Sequence, residues 1–305
     1  MVEELNIGIV GLHNWYHAYP FAMLLKHLPK VKLVAVGHDD SSQLKEFSAD
    51  FGVRNISTDM EEVIRRKDVD AIILTAYSSC HLELVKVACE ERKHVFCDKP
   101  IETSIKKTHE MIRNVEKAGI KFMIGHAKRS NPLVRKAAEL IKDGAIGEVI
   151  AFNDLAHAPL PQRWITDKDP GWYVEPEKVG YGGFIDHAVH SFDALRFVLG
   201  KEGKSIIGVV DNLVHKSIKV EDYGAALTEF EGGVRGVVES SWIIVPPGRY
   251  TDYTSFKGTE GNIVLNGEKI IVNGRLLKDV VGKSEVTLNP VILEWFRPIP
   301  GIMEY

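Results

Sequence analysis

Short apolar runs alternate with helix-length amphipathic stretches over the first part of the chain. Leu5–Val10, Val31–Val36, Ala71–Leu74, His94–Cys97 and Lys121–Ile124 are rich in apolar residues at consecutive positions. Such runs mark strands covered on both faces, as in a parallel sheet. Helical stretches fall between them. Ser42 is expected to cap a helix that carries Leu44 and Phe47 and stops at Gly52. Thr58 is expected to cap Asp59–Arg66, and Ser104 to Ala118 forms a helix closed by Gly119. Strand–helix–strand alternation calls for crossover connections, hence an α/β, doubly wound parallel sheet.

The pattern changes after Gly125. Asn131–Lys142 reads as a helix, Asp143-Gly144 as a turn and Val149–Phe152 as a strand. Pro159 to Tyr181, rich in Pro, Trp and Tyr, reads as a long ordered loop. Phe184–Leu199 has helical periodicity and ends at Gly200. Short alternating runs follow at Ile206–Leu213, Gly224–Phe230, Val234–Ile243, Thr251–Phe256, Ile263–Leu265 and Ile270–Val272. Turn signals such as Glu231-Gly232-Gly233 and Asn266-Gly267 separate them. The expectation is a dinucleotide-binding domain over 1–124, then an α+β domain over 125–305 with an open, largely antiparallel sheet. An open sheet face wants a cover, so a homodimer or homotetramer through this sheet is expected.

Size and charge narrow the function class. The chain has 305 residues, and a single core rarely grows past about 250–300, which supports two domains. Lys and Arg number 38 against 42 Asp and Glu, a net of −4, so neither nucleic acid nor an anionic membrane is an expected partner. No apolar stretch is long enough to span a bilayer, and the start shows no signal-peptide pattern. Cys80, Cys89 and Cys97 form no Cys-x-x-Cys pair and read as thiols in a reducing cytoplasm.

Candidate chemistry lies at strand ends. Gly8-Ile-Val-Gly11-Leu-His13-Asn14-Trp-Tyr16 closes the first strand, where a dinucleotide fingerprint wants three glycines for a tight turn, a close pyrophosphate and a close helix. Only the first, Gly11, is kept; His13 and Tyr16 stand at the other two positions. A ribose-reading acid belongs at the end of the second strand, where His38, Asp39 and Asp40 follow Gly37. An acid there favours NAD over NADP, although a turn-capping carboxylate looks the same in sequence. His38 could instead stack on adenine or tolerate a phosphate. Asp98-Lys99-Pro100 follows the fourth of these strands, where parallel sheets present ligands. Further on, Gly182-Gly183 open a helix, which would let its first turn approach a ligand. Asp186 and His190 are four apart and share one face as a proton-transfer pair. No metal is expected: Asp186, His187 and His190 lack the His-x-x-x-His spacing and have no cysteine near.

Taken together, these motifs resemble the glucose–fructose oxidoreductase, inositol dehydrogenase and rhizopine-catabolism family (Gfo/Idh/MocA). Its Glu-Lys-Pro signature stands here as Asp98-Lys99-Pro100, and its Gly-Gly-x-x-x-Asp-x-x-x-His signature as Gly182-Gly183, Asp186 and His190. His81, Arg129 with Pro132, and the turn Asp143 to Val149 add secondary matches over roughly the first 245 residues. The resemblance implies an NAD(P)-binding Rossmann domain and hydride exchange with a carbinol carbon of a sugar, inositol or related polyol. It implies that Lys99 bonds the reacting oxygen, His190 is the general base and Asp186 holds a substrate hydroxyl. Gly8, Gly11, His13, Asn14, His38, Asp39, Thr75, Tyr77, His81, Asp98 and Lys99 are then expected at NAD or NADP. The chain departs from the family with Tyr77 and Ser78 where a proline and an asparagine are usual. His126, Asp154, His157, Arg163, Trp164 and Trp172 are candidates for substrate contact, the tryptophans doubling as loop anchors. Rival readings are a non-catalytic NAD(P) sensor, or an isomerase or glycosidase that uses NAD transiently.

Overall fold

The computed structural model describes residues 4–165, 167–244, 251–266, 269–277 and 280. The first three residues, the turn residue Gly267 and the tail beyond 280 lie outside the described residues. The chain divides into two compact units. One runs to Gly125 and also takes Gln162–Gly180; the other comprises His126–Pro161 and the described residues from Tyr181 onward. The segment Gln162–Gly180 falls inside the range expected for the second domain, and it packs with the first.

In the first unit, β1 (Leu5–Val10), β2 (Val31–Gly37), β3 (Asn55–Ser57), β4 (Ala71–Leu74), β5 (His94–Cys97) and β6 (Phe122–Ile124) form a parallel sheet ordered β3-β2-β1-β4-β5-β6. The order reverses between β1 and β4, which opens a crevice at the carboxyl ends of the strands. Helices α1 (Trp15–Leu25), α2 (Ser41–Phe51), α3 (Met60–Ile64), α4 (His81–Glu90) and α5 (Ile105–Ala118) make the crossovers. Buried Val10, Ile72, Leu74, Val85, Val95 and Met111 join strands to helices in one core. β3 has no apolar run to announce it and pairs only through Asn55–Ser57. Two expected caps move. Asp40, not Ser42, caps α2, its carboxylate accepting from the N–H groups of Ser42 and Gln43. Asp59, not Thr58, caps α3. In both, a carboxylate displaces a hydroxyl because its charge also meets the positive helix end. Ser104 and Gly119 cap α5 as read.

The second unit carries β7 (Val149–His157), β8 (Gly203–Asp211), β9 (Tyr223–Phe230), β10 (Arg235–Ser241), β11 (Thr251–Gly258), β12 (Asn262–Asn266), β13 (Lys269–Val272) and β14 (Arg275–Leu276). Their order is β14-β13-β12-β11-β7-β10-β9-β8, antiparallel except for β7 with β10. Helices α6 (Pro132–Lys142), α7 (Pro176–Val179) and α8 (Gly183–Leu199) complete the chain, α7 belonging to the first unit. α6 and α8 bury Leu133, Ala137, Leu195 and Val198 against Phe152, Phe230 and Phe256 of the sheet. β8 is exposed throughout, with Ile207 and Val209 at 73% and 69%. β7 runs on past Phe152 to His157, so Asp154 and His157 lie on a strand.

The paired glycines of α8 serve packing. A Cβ on Gly182 would stand 1.9 Å from the carbonyl oxygen of Glu221, and one on Gly183 would stand 2.7 Å from the backbone nitrogen of Trp242. Gly183 N–H donates to Glu221 O at 2.7 Å. The helix start is pressed against the strands, not held open for a ligand as its sequence suggests. Gly183→Ala is therefore expected to cost about 1–3 kcal/mol of unfolding free energy through overpacking. Urea unfolding measures this, and a variant as stable as the parent would contradict the close approach.

Candidate active site

Gly11 turns the chain at the end of β1 with φ +80°, and a Cβ there would stand 2.6 Å from the backbone of Ala76. Thr75 is fully buried and donates its hydroxyl to Gly11 O at 2.5 Å, while Asn14 N–H donates to Thr75 O at 3.0 Å. These bonds clamp the turn after β1 to the end of β4. α1 begins one residue past Asn14, with no side-chain cap and no acid in its first turn, so its positive end suits a phosphate. Gly8, expected near a ligand, instead lets Val63 of α3 pack on β1, where a Cβ would meet it at 2.9 Å. His81, also expected at the coenzyme, is enclosed. Its Nδ1 and Nε2 lie 3.1 Å and 2.9 Å from the carbonyl oxygens of Ile101 and Ala76, tying two turns together. Burial lowers its pKa.

His13, at the second fingerprint position, has its own aromatic niche. Its ring stands edge-on to His38, Tyr77 and Trp172, with centroids 4.6, 4.5 and 6.2 Å away. Its Nε2 is 3.1 Å from Asp39 Oδ1. His38 is buried; its Nδ1 accepts from Leu12 N–H and its Nε2 meets Gln43 Oε1 at 2.7 Å. Desolvation, aided by His13, lowers the His38 pKa to about 4. Asp39 is half exposed, and the hydrogen bond from His13 holds its pKa at about 2. Asp40 is spent on the cap of α2, which separates it from Asp39 as a ribose reader.

A cavity of about 620 Å³ opens beside Asp39, lined also by Gln43, Glu46, Arg163, Trp164 and Trp172. Trp164 is buried, donates Nε1–H to Glu46 and packs edge-on to Tyr19. Trp172 donates Nε1–H to His13 O at 3.2 Å, and Arg163 pairs with Asp167. Arg163, Trp164 and Trp172, expected at the substrate, line this cavity beside Asp39 in the first unit. The reason is the packing of Gln162–Gly180, which the sequence alone does not reveal. The retained Gly11 turn, the uncapped α1 and the half-exposed Asp39 carboxylate fit a dinucleotide; the lost glycines are absorbed by the niche around His13.

Asp98 is buried at the end of β5. It accepts from Asn14 Nδ2 at 2.7 Å, meets His17 Nδ1 at 2.8 Å and accepts from Lys99 N–H at 2.8 Å. Burial opposes its charge, yet His17 and Lys99 outweigh that and hold its pKa below the ordinary carboxylate value. Tyr173 closes the chain by donating its hydroxyl to Asn14 Oδ1. Asn14 and Asp98, expected at the coenzyme, spend these groups on each other. Lys99 follows on a cis bond to Pro100 and is itself buried.

In the second unit, α8 carries Asp186 in its first turn and His190 one turn on. Asp186 accepts from Trp242 Nε1–H at 3.1 Å. The rings of His190 and His126 lie edge-on at 5.8 Å. A cavity of about 250 Å³ is lined by His187, His190, Lys128 and Asp252. Lys128 was not visible as a site residue from sequence. Its ammonium donates to Asp154 at 2.9 Å and to Asp252 at 3.0 Å. Burial lowers its pKa, but the two carboxylates overcome this and raise it, so it stays charged. Asp154 is fully buried and also receives the hydroxyls of Ser191 and Thr254. Expected at the substrate, it is instead the anchor of Lys128. No local signal announces this pair, because the partners are 26 and 124 residues from Lys128. His157 pairs with Ser241 Oγ at 2.7 Å, and burial lowers its pKa.

The buried His38 makes stability depend on pH. Its proton binds more readily in the unfolded chain, so stability falls as pH drops from about 6.5 to about 4 and levels off below. The loss is about 3 kcal/mol at most from this group. His38→Asn keeps an acceptor for Leu12 N–H and is expected to flatten most of that fall in urea unfolding across the window, leaving the part due to His81. A variant with the full parental slope would contradict the assignment.

Two family models cover most of the chain. Residues 5–126 match the oxidoreductase family with an NAD-binding Rossmann fold, and residues 134–264 match the GFO/IDH/MocA C-terminal domain. The chain is similar to a myo-inositol 2-dehydrogenase of Thermotoga maritima, 27% identical with 93% of this chain and 78% of that protein aligned. It is 27% identical to a 2,7-anhydro-N-acetylneuraminate hydratase of Mediterraneibacter gnavus, over 93% of this chain and 74% of that one. An oxidoreductase structure from Thermotoga maritima superposes with a TM-score of 0.78 at 27% identity, covering 90% of this chain and 83% of that chain. No described helix is long and apolar enough to cross a membrane. The glycine turn, the lysine strand end and the acid–histidine helix therefore belong to a member of the Gfo/Idh/MocA oxidoreductase family.

Proposed function

We propose that this chain exchanges hydride between NAD and a carbinol carbon of a small polyhydroxylated compound, a sugar, an inositol or a relative. The observation that carries the reading is the buried Lys99, rooted on Asp98, in a chain whose α8 aligns Asp186 with His190. NAD, when bound, supplies the hydride acceptor. His190 takes the hydroxyl proton, a task suited to an imidazole, whose unperturbed pKa is about 6.5. The Lys99 ammonium stabilises the oxygen as negative charge develops on it. Asp186 orients a substrate hydroxyl, and Lys128 holds another from the cavity it shares with His190. The ionised Asp39 accepts from a ribose hydroxyl and repels a 2′-phosphate, which favours NAD over NADP.

The exposed apolar stretch of β8, with Ile206, Ile207, Val209 and Val210, supports assembly of copies through the second unit's sheet. The free thiols of Cys80, Cys89 and Cys97 support a cytoplasmic setting. The hydratase among the relatives favours one rival, a reaction that borrows hydride and returns it.

A panel of polyols and sugars with NAD separates the two. A dehydrogenase gives steady growth of reduced nicotinamide absorbance, whereas a transient user converts substrate with no net growth. His190→Asn is expected to lower kcat about 10²–10⁴-fold. Lys99→Met is expected to lower it about 10²–10³-fold while leaving NAD affinity nearly unchanged. Parental kcat in both variants would remove the catalytic assignment.

A further inference from the structure

His13 and His38 stand where the family's fingerprint and ribose-reading positions lie, and hydride transfer asks nothing of either ring. One nitrogen of each imidazole and a carboxylate oxygen of Asp39 lie within 4.8 Å of one another. Asp39 Oδ1 is 3.1 Å from His13 Nε2 and 3.3 Å from His38 Nδ1. Ligands around a tetrahedral zinc, at bond lengths of about 2.0–2.2 Å, stand about 3.4 Å from each other. Two edges of the triangle therefore already have the length a bound cation requires.

The His38 tautomer sharpens the point. Leu12 N–H donates to Nδ1, so that nitrogen carries a lone pair, and the ring proton sits on Nε2 facing Gln43 Oε1. That lone pair is held by the Leu12 amide, and Asp39 Oδ1 lies 3.3 Å from the same nitrogen, so a cation would take the place of the amide hydrogen at Nδ1. The Nε2–H to Gln43 bond is the outer contact that orients a metal-bound imidazole. His13 donates its Nε2–H to Asp39, while its buried Nδ1 has no hydrogen-bond partner among the described residues. That proton can sit on Nδ1 and leave Nε2 as the ligand atom.

We propose that His13 Nε2, His38 Nδ1 and Asp39 Oδ1 form a site for a divalent transition metal of the zinc class, with its remaining position open to the adjoining cavity. Two imidazoles and one carboxylate suit zinc or cobalt better than magnesium or calcium. His13 lacks an outer partner and Asp39 is half exposed, which makes the metal exchangeable, with micromolar affinity. One consequence rests on the proposed placement of the ribose at Asp39: metal and NAD exclude each other.

The test is calorimetric titration of the metal-free full chain with zinc, and cobalt(II) absorption in the visible range. One metal per chain, with intense tetrahedral cobalt bands, is expected. Asp39→Asn and His38→Asn should each weaken zinc at least about tenfold. Both substitutions are close in shape, and circular dichroism checks their fold. No binding, cobalt bands as weak as those of the aqueous ion, or parental affinity in Asp39→Asn would overturn the site. Saturating NAD should expel the cobalt. Cobalt and NAD bound together at unchanged affinities would leave the metal site standing and overturn the ribose placement.

Discussion

The carboxylate of Asp98 holds the carboxyl-terminal end of the first unit's sheet in register. A buried charge costs several kcal/mol unless it is paired and hydrogen-bonded. Asp98 meets that cost with Asn14 from the turn after β1, with His17 of α1 and with the backbone N–H of Lys99. β4 lies between β1 and β5, so the interaction bridges the strand that flanks the crevice. The glycine turn after β1 and the backbone of Lys99 are thereby tied to one group. Removing any one of these three partners would leave the buried carboxylate less well compensated.

The segment Gln162–Gly180 extends the same logic. Tyr173 adds its hydroxyl to Asn14, Trp172 caps the His13 carbonyl, and Trp164 reaches Glu46 on α2. Each tryptophan brings a large apolar surface together with one directed N–H, a combination that fixes position as well as burial. The segment is thus part of the wall of the cavity beside Asp39. In the second unit a parallel device operates, since Asp154 holds the Lys128 ammonium against the cavity that His190 also lines.

Much of the fold is legible in the sequence because its signals are local. Consecutive apolar runs mark the buried parallel strands, Ser104 and Gly119 bracket α5, and Gly200 closes α8. The candidate residues Lys99, Asp186 and His190 stand out in the sequence because their motifs are short. What the sequence does not give depends on distant partners. Nothing near Lys128 announces Asp154 or Asp252, and nothing in the Trp-rich loop says which unit it covers. The glycines of α8 show the limit clearly. Their spacing marks the motif, but their reason is the backbone of Glu221 and Trp242, which only the folded sheet brings close.

The central claim is that a crevice with one fingerprint glycine still binds a dinucleotide. Titration of the intact chain with NADH, read by energy transfer from tryptophan to the reduced nicotinamide, tests it most directly. The account predicts saturable binding at one site per chain, with NADH preferred over NADPH by at least about tenfold, the discrimination expected of one ionised carboxylate facing a phosphate. No saturable binding of either dinucleotide, or a preference for NADPH, would contradict it.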